Sequence, residues 1–180
     1  MTTNSGNNST QKSTMESSQL MKLFEDGLKE VYWSGNALTK VIPQTIVNAS
    51  SEDLIEVLMN HLRETQGQVI RIEKVFESIG QKAEAKKCEV MENLLEGAKE
   101  IIERCEPGSM RDAGIISAAQ KIEYYEIASY GMLRELAETL GLTEAELLLQ
   151  ANLDEEKKTI KWLAEVATNT INVEMLLEEV

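Results

Sequence analysis

Residues 109–141 decide the fold, and they read SMRDAGIISAAQKIEYYEIASYGMLRELAETLG. The inward positions of this stretch recur at steps of three and four residues, which is the period of an amphipathic α-helix. They are Ile116, Ala119, Glu123, Glu126, Tyr130, Leu133, Ala137 and Leu140. Ser109 and Asp112 have the spacing of a capping pair, and Gly141 stands where a helix commonly closes. The pattern therefore predicts one long helix from Ser109 to about Leu140.

The same period predicts four more helices. They are Ser17–Asn48, Ser51–Ile79, Lys87–Arg104 and Thr143–Thr168. Ser50 and Asp53 suggest a capping box before the second helix. Pro43 predicts a kink or local break in the first. The predicted inward stripe of the second helix contains Leu54, Leu58, Leu62, Val69, Ile72 and Phe76, and that of the last contains Leu149, Leu153, Glu156, Ile160, Leu163 and Ala167.

The lengths of the connections predict how these helices are arranged. Short connections join the long helices into two antiparallel hairpins, and a connection of nearly thirty residues with its own helix links the hairpins. This order predicts an all-α, ferritin-like antiparallel four-helix bundle with an additional helix in the long crossover. We expect a flexible Ser/Thr/Asn-rich tail over residues 1–16, the bundle over 17–170 and a C-terminal extension over 171–180.

The composition excludes several functions. The net charge is −13, which disfavours binding to nucleic acid or to an anionic membrane. No apolar window is long enough to span a bilayer, and the polar N-terminus does not resemble a secretory signal. Cys88 and Cys105 form no CxxC pair, so we expect free thiols and a cytoplasmic location.

Three carboxylates interrupt the apolar stripes and are the candidate site residues: Glu123, Glu126 and Glu156. A buried carboxylate needs a partner such as a metal, another cation, a tyrosine hydroxyl or a shared proton. A di-iron bundle takes a Glu from two helices and a Glu-x-x-His from the other two. His61 is the only histidine, and His61-x-x-Glu64 has the reverse order, so we expect His61 to be structural or surface-exposed.

Four stretches carry a family resemblance: HLRETQGQVIRIEKVFESIG (61–80), KKCEVMENLLEGAKEIIE (86–103), AAQKIEYYEIASYG (118–131) and LDEEKKT (153–159). Together they resemble the YciE/YciF family of bacterial ferritin-like proteins over roughly residues 19–167. The resemblance implies a ferritin-like bundle, a homodimer, a cytoplasmic location and an association with stress responses.

The chain departs from the family pattern at positions that would hold or surround two metals. In our alignment, Gly35, Gln66, Ile70, Tyr124 and Ile160 replace expected Glu, His, Glu, His and Asp residues, and Arg63 replaces a Glu, whereas Glu123, Glu126 and Glu156 match. We therefore predict a degenerate site. In such a site, the positive charge of a metal is replaced by the guanidinium charge of Arg63 or by hydrogen bonds from Gln66 and Tyr124.

Three functions follow from this interpretation. We favour a non-enzymatic structural or interaction protein, with no cofactor or a weakly bound metal. The alternative is a di-iron carboxylate protein with oxidase, peroxidase or iron-handling activity. A mononuclear site would use Glu126, Glu156 and either His61 or Glu64. The sequence names no protein partner beyond a second copy of the chain.

Overall fold

The computed structural model describes the backbone of residues 6–168 and the side chains of residues 18–168. The described chain is all-helical and contains α1 (Gly6–Asn48), α2 (Glu52–Ser78), α3 (Glu89–Arg104), α4 (Ser109–Thr139) and α5 (Thr143–Val166). This order confirms the predicted class and the additional helix in the crossover. The predicted C-terminal extension, residues 171–180, lies outside the described residues.

Local chemistry explains where α2 begins and where α2 and α4 end. Ser51 is the N-cap of α2, and its hydroxyl accepts a hydrogen bond from the Leu54 backbone N–H at 3.5 Å. The N-cap therefore lies one residue after Ser50, where the predicted capping box begins. Gly80 and Gly141 follow α2 and α4 with φ of 70°, a left-handed conformation that favours glycine and stops each helix.

Helix α1 differs from its prediction at two places. It begins at Gly6 rather than at Ser17, so residues 6–16 of the predicted flexible tail are helical. Extending an existing helix by one residue costs less than nucleating a new one, which lets a polar segment continue the helix. The helix also continues through Pro43 to Asn48, so the predicted break does not occur.

The four long helices form the bundle, and α3 packs against its side. In this arrangement α1 contacts α2 and α4, while α5 contacts α2 and α4. Helix α3 lies against α4 and, less extensively, against α1. The link before α3 is fastened to α1 by the Lys86 backbone N–H, which donates to the Lys29 carbonyl at 3.1 Å. None of the described helices is both long and apolar enough to cross a membrane.

Asp112 connects two ends of the bundle. It lies in the first turn of α4 and is 1% exposed. Its carboxylate accepts hydrogen bonds from the backbone N–H groups of Ser50 (2.9 Å) and Ser51 (2.7 Å), in the turn between α1 and α2. The N-cap of α4 is Gly108 rather than the predicted Ser109, and the Asp112 carboxylate also caps the start of α2.

A layer of polar side chains divides the hydrophobic core into two halves. One half is built around Phe24, Leu28, Ile72, Phe76, Tyr130 and Leu149. The other is built around Leu38, Ile42, Leu54, Leu58, Ile122 and Leu163. The buried residues between these halves are Ser34 on α1, His61, Thr65 and Gln68 on α2, Glu123 and Glu126 on α4, and Glu156 and Thr159 on α5.

Candidate metal centre

The centre of the polar layer is a cluster of one histidine and three glutamates. His61 comes from α2, Glu123 and Glu126 from α4, and Glu156 from α5. Each residue offers one nitrogen or oxygen atom, and these four atoms all lie within 4.8 Å of one another. Glu123 and Glu126 face the cluster together because residues three apart share one face of a helix.

The cluster is almost completely removed from solvent. His61 is 4% exposed, and none of the three glutamates exceeds 1%. The His61 Nε2 atom lies 3.2 Å from the Glu123 Oε1 atom, which joins α2 to α4. The structure therefore brings together the three glutamates that the sequence singles out, and it adds the histidine that we expected to be structural or surface-exposed.

Several ligand atoms of the cluster have no hydrogen-bond partner. They are His61 Nδ1, Glu123 Oε2, both carboxylate oxygens of Glu126, and Glu156 Oε2. A buried polar atom without a partner costs free energy, and an unpaired buried carboxylate costs more than a neutral group. An ion placed among these atoms would satisfy them, so the residues present fit a divalent cation.

Burial shifts the protonation of the cluster in the metal-free protein. Desolvation raises the pKa of Glu123 well above 4.5, and hydrogen bonding and charge repulsion with Glu156 add to the rise. Desolvation also raises the pKa of Glu126 well above 4.5, with a contribution from the Glu156 charge. Desolvation lowers the pKa of His61 below 6.5, and the charges of Glu156 and Glu64 oppose this only in part. Burial thus shifts the pKa values of Glu123, Glu126 and His61 in the direction that favours the neutral form of each.

These shifts predict that metal-free protein loses stability as the pH rises above 6.5. Native Glu123 and Glu126 retain protons that the unfolded chain releases near pH 4.5, so unfolding is favoured as the pH rises. The depressed pKa of His61 acts oppositely, but only below 6.5. Above pH 6.5, we expect the free energy of unfolding to fall by up to about 1.4 kcal/mol per pH unit for each proton that the native protein still retains.

Urea unfolding in the presence of a chelator, at several pH values, measures this slope. The E126Q variant removes one titrating group and should have a shallower slope than the parent protein. Equal slopes in the two proteins would show that Glu126 does not hold a proton in this range.

A second polar group flanks the cluster between α2 and α5. The Gln68 amide Nε2 donates to Glu156 Oε1 at 2.5 Å and to Glu155 Oε2 at 3.1 Å. Arg71 forms an ion pair with Glu155 and donates from Nε to the Asn152 side-chain oxygen. The Gln68 side chain thus connects the buried Glu156 to the partly exposed ion pair of Arg71 and Glu155.

The structure places the three predicted replacement partners at the surface rather than in the cluster. Arg63 and Gln66 are exposed on α2, where the Arg63 guanidinium bonds to the Asn60 side chain and the Met59 carbonyl. Tyr124 is 64% exposed on α4. The polar partner that the structure gives to Glu156 is Gln68, which the sequence analysis did not single out.

The other departures from the family pattern are Ile70, Ile160 and Gly35, and none of them belongs to the cluster of four residues. Ile70 is 54% exposed, and Ile160 is half-buried beside the buried Thr159. Gly35 is buried at the level of the polar layer, where a Cβ atom would lie 3.0 Å from Val69 Cγ2. Among the described residues, α1 adds no ligand to the cluster. Helix α2 contributes His61 to the cluster, a residue that the mononuclear alternative includes.

The fold and the layer place the chain in a class: ferritin-like helical bundles with a buried His/Glu cluster. Residues 19–176 match a family described as a domain of unknown function, DUF892, and the chain belongs to that family. This confirms the resemblance identified in the sequence. Protein YciF of Escherichia coli (strain K12) is 43% identical over 157 residues, which cover 84% of this chain and 95% of the relative.

Two solved structures support the same assignment. The crystal structure of the E. coli stress protein YciF matches with a TM-score of 0.82 at 42% identity, covering 85% of this chain and 97% of that one. YcfI from Rhodopseudomonas palustris, whose description proposes a structural role, matches with a TM-score of 0.79 at 36% identity. That match covers 81% of this chain and 92% of the R. palustris chain.

Proposed function

We propose that this protein is a metal-binding helical bundle that holds a single divalent cation at His61, Glu123, Glu126 and Glu156. The observation that carries the proposal is the convergence of four ligand atoms within 4.8 Å in the middle of the bundle. Nitrogen and oxygen ligands bind a first-row metal at about 2.0–2.2 Å. A small contraction of the four side chains would therefore bring all of them onto one ion.

Charge and ligand number favour one ion over two. Three carboxylates carry at most three negative charges, whereas two divalent cations bring four positive charges into a buried site. A di-iron bundle uses carboxylates from all four helices and two imidazoles. Here α1 presents Ser34 and Gly35 at this level, and the Ser34 hydroxyl is already donated to the Glu30 carbonyl at 2.9 Å. The geometry thus favours the mononuclear alternative over a di-iron centre.

The donor set also selects the kind of metal. Imidazole suits iron, zinc, copper and nickel, while carboxylates suit harder ions such as manganese. One imidazole with three carboxylates therefore favours Fe²⁺, Mn²⁺ or Zn²⁺ over Mg²⁺ and Ca²⁺, which prefer oxygen ligands alone. A bound metal would supply Lewis-acid chemistry and, if it were iron or manganese, redox chemistry. The residues themselves hold the ion and exclude water from it.

The biological setting that we propose follows from the relatives. The E. coli relative is described as a stress protein, and we propose a stress-associated role for this chain as well. We also propose a cytoplasmic homodimer, as the family resemblance implies. An acidic protein with a net charge of −13 suits an interaction with metal cations better than one with nucleic acid.

A second candidate is a metal-free structural bundle. Glu123 and Glu156 lie close enough for a proton on one carboxyl to be shared with the other. Such a pair stabilises itself without a cation, as two carboxyls that share a site commonly do. The structural role proposed for the R. palustris relative agrees with this reading. In this case the polar layer would specify how the helices align rather than bind a ligand.

Metal content distinguishes the candidates. Protein stripped with a chelator is dialysed without oxygen against Fe²⁺, Mn²⁺ or Zn²⁺ and analysed for bound metal. We expect one equivalent per chain in the parent protein and in E138Q, an exposed-site control, but less than about a tenth of an equivalent in E156Q. Two equivalents would support a di-iron-type centre, and no binding of any of the three metals would support the structural bundle.

A further inference from the structure

The four ligands of the proposed metal site are nearly inaccessible to solvent, so an ion must pass between helices to reach them. The polar side chains around the cluster show where this passage is least costly. A cation that crosses an apolar interface between two helices would lose its hydration shell without compensation. At an interface that carries carboxylates and amides, the oxygen atoms of these groups replace the lost water.

The interface between α2 and α5, called the α2–α5 seam from here on, has this polar character. Glu64 on α2 has a side chain that is 18% exposed and accepts from Lys158 Nζ at 2.8 Å. Glu155 on α5 is 26% exposed and pairs with Arg71. These two carboxylates lie at the boundary between solvent and the buried cluster.

Gln68 completes the connection from the surface to the ligands. Its Nε2 atom donates to both Glu155 and Glu156, one partly exposed and one buried. Its Oε1 atom is buried and has no hydrogen-bond partner. Rotation of the amide group would therefore present a neutral oxygen ligand to a passing cation without removing a bond from that oxygen. Within the described residues, this is the hydrogen-bonded connection that leads from the four ligands to a partly exposed carboxylate.

The seam must open at its ion pairs before a cation can pass. Lys158 keeps a partner when this pair opens, because its Nζ atom lies 4.2 Å from the centroid of the Trp162 ring while it is paired with Glu64. A cation–π contact offsets part of the loss when the ammonium leaves Glu64. A divalent ion has twice the charge of the ammonium and competes with it for the same carboxylate.

We propose that divalent cations reach the core through the α2–α5 seam, captured first by Glu64 and Glu155 and then passed by Gln68 to Glu156. Lys158 and Arg71 occupy the two outer carboxylates until the cation displaces them. This inference rests on the proposed metal-binding function and adds to it the path that the ion takes.

Stopped-flow binding of Co²⁺, followed by its visible absorption, tests the path on the full chain. We expect E64Q and E155Q each to slow association by about tenfold, because each removes a capturing charge. K158M should accelerate association, since it frees Glu64. E138Q is the matched control, because Glu138 is an exposed glutamate of α4 paired with Arg134, and it should change the rate less than twofold.

Equilibrium measurements on the same samples separate the path from the site. The expected result is one equivalent of Co²⁺ in every variant, with rate changes only in the seam variants. If E64Q and E155Q bind Co²⁺ as fast as E138Q, the path is overturned and the metal site stands. If the parent protein binds no Co²⁺ at equilibrium, the site and the path both fall. Far-UV circular dichroism confirms that each variant is folded.

Discussion

Addition of Mn²⁺ at about 100 times its dissociation constant should raise the free energy of unfolding by about 2.7 kcal/mol, since an ion that binds only the folded protein stabilises it by mass action. For a chain of this size, this corresponds to a rise of roughly 5–10 °C in the melting temperature. The four ligands come from α2, α4 and α5, and unfolding separates these helices. Thermal unfolding with and without Mn²⁺, followed by circular dichroism, measures the shift.

The E126Q variant is the decisive comparison for this effect. Both oxygens of Glu126 are buried without a hydrogen-bond partner, and burial raises the pKa of this carboxyl well above 4.5, so glutamine is a neutral replacement of almost the same shape. We therefore expect E126Q to keep its metal-free stability within about 1 kcal/mol near pH 4.5, and to be more stable than the parent protein at higher pH, where the unfolded parent chain releases the Glu126 proton. A glutamine cannot supply the negative charge, so the Mn²⁺-dependent shift should disappear. A full shift in E126Q would exclude Glu126 as a ligand.

Replacing Asp112 with alanine should lower the free energy of unfolding by about 3 kcal/mol. The Asp112 carboxylate accepts from the Ser50 and Ser51 backbone N–H groups, and a hydrogen bond to a charged group contributes about 1.5–3 kcal/mol. These groups precede α2, so the negative charge also interacts favourably with the N-terminus of that helix. Chemical denaturation by urea measures the loss.

Two variants control for the effect of Asp112. D112N retains one oxygen acceptor without the charge, so its free energy of unfolding should lie between that of the parent protein and that of D112A. D154A removes an exposed aspartate of α5, whose visible role is to accept from Gln150 at 2.8 Å, and should cost less than about 0.5 kcal/mol. If D112A is no less stable than D154A, the hydrogen bonds between Asp112 of α4 and the α1–α2 turn contribute nothing to the free energy of unfolding.

The fold followed from the sequence because helix length, spacing and connection length carry its signal. The predicted inward positions Leu149, Leu153 and Glu156 on α5 recur at steps of four and three residues and are buried as predicted. The starting point of α1 did not follow, because residues 6–16 are polar and give no stripe. Its continuation through Pro43 also did not follow from the local preference of proline, which predicts a break.

The site was only partly predictable, and the error lies in the rotation of α2. The predicted stripe passed through Leu62 and Val69, because an apolar pattern selects apolar residues. The buried line passes instead through His61, Thr65 and Gln68, which are polar. Steps of three and four residues lead from Leu58 to Ile72 through Leu62 and Val69 as well as through His61 and Gln68. Spacing alone therefore does not decide which of the two lines faces the core, and the apolar side chains favoured the wrong one.

The residues that specify the architecture differ from those that specify the chemistry. The apolar residues at both ends of the bundle specify the architecture, and the polar layer specifies the chemistry. Each apolar half of the core draws on all four long helices, so the helices are held together at both ends whatever occupies the middle. Substitutions at the centre can therefore add, reduce or remove an ion-binding centre while the bundle persists. Relatives with the same architecture are consequently free to differ in metal content, and each must be assessed from its own central residues.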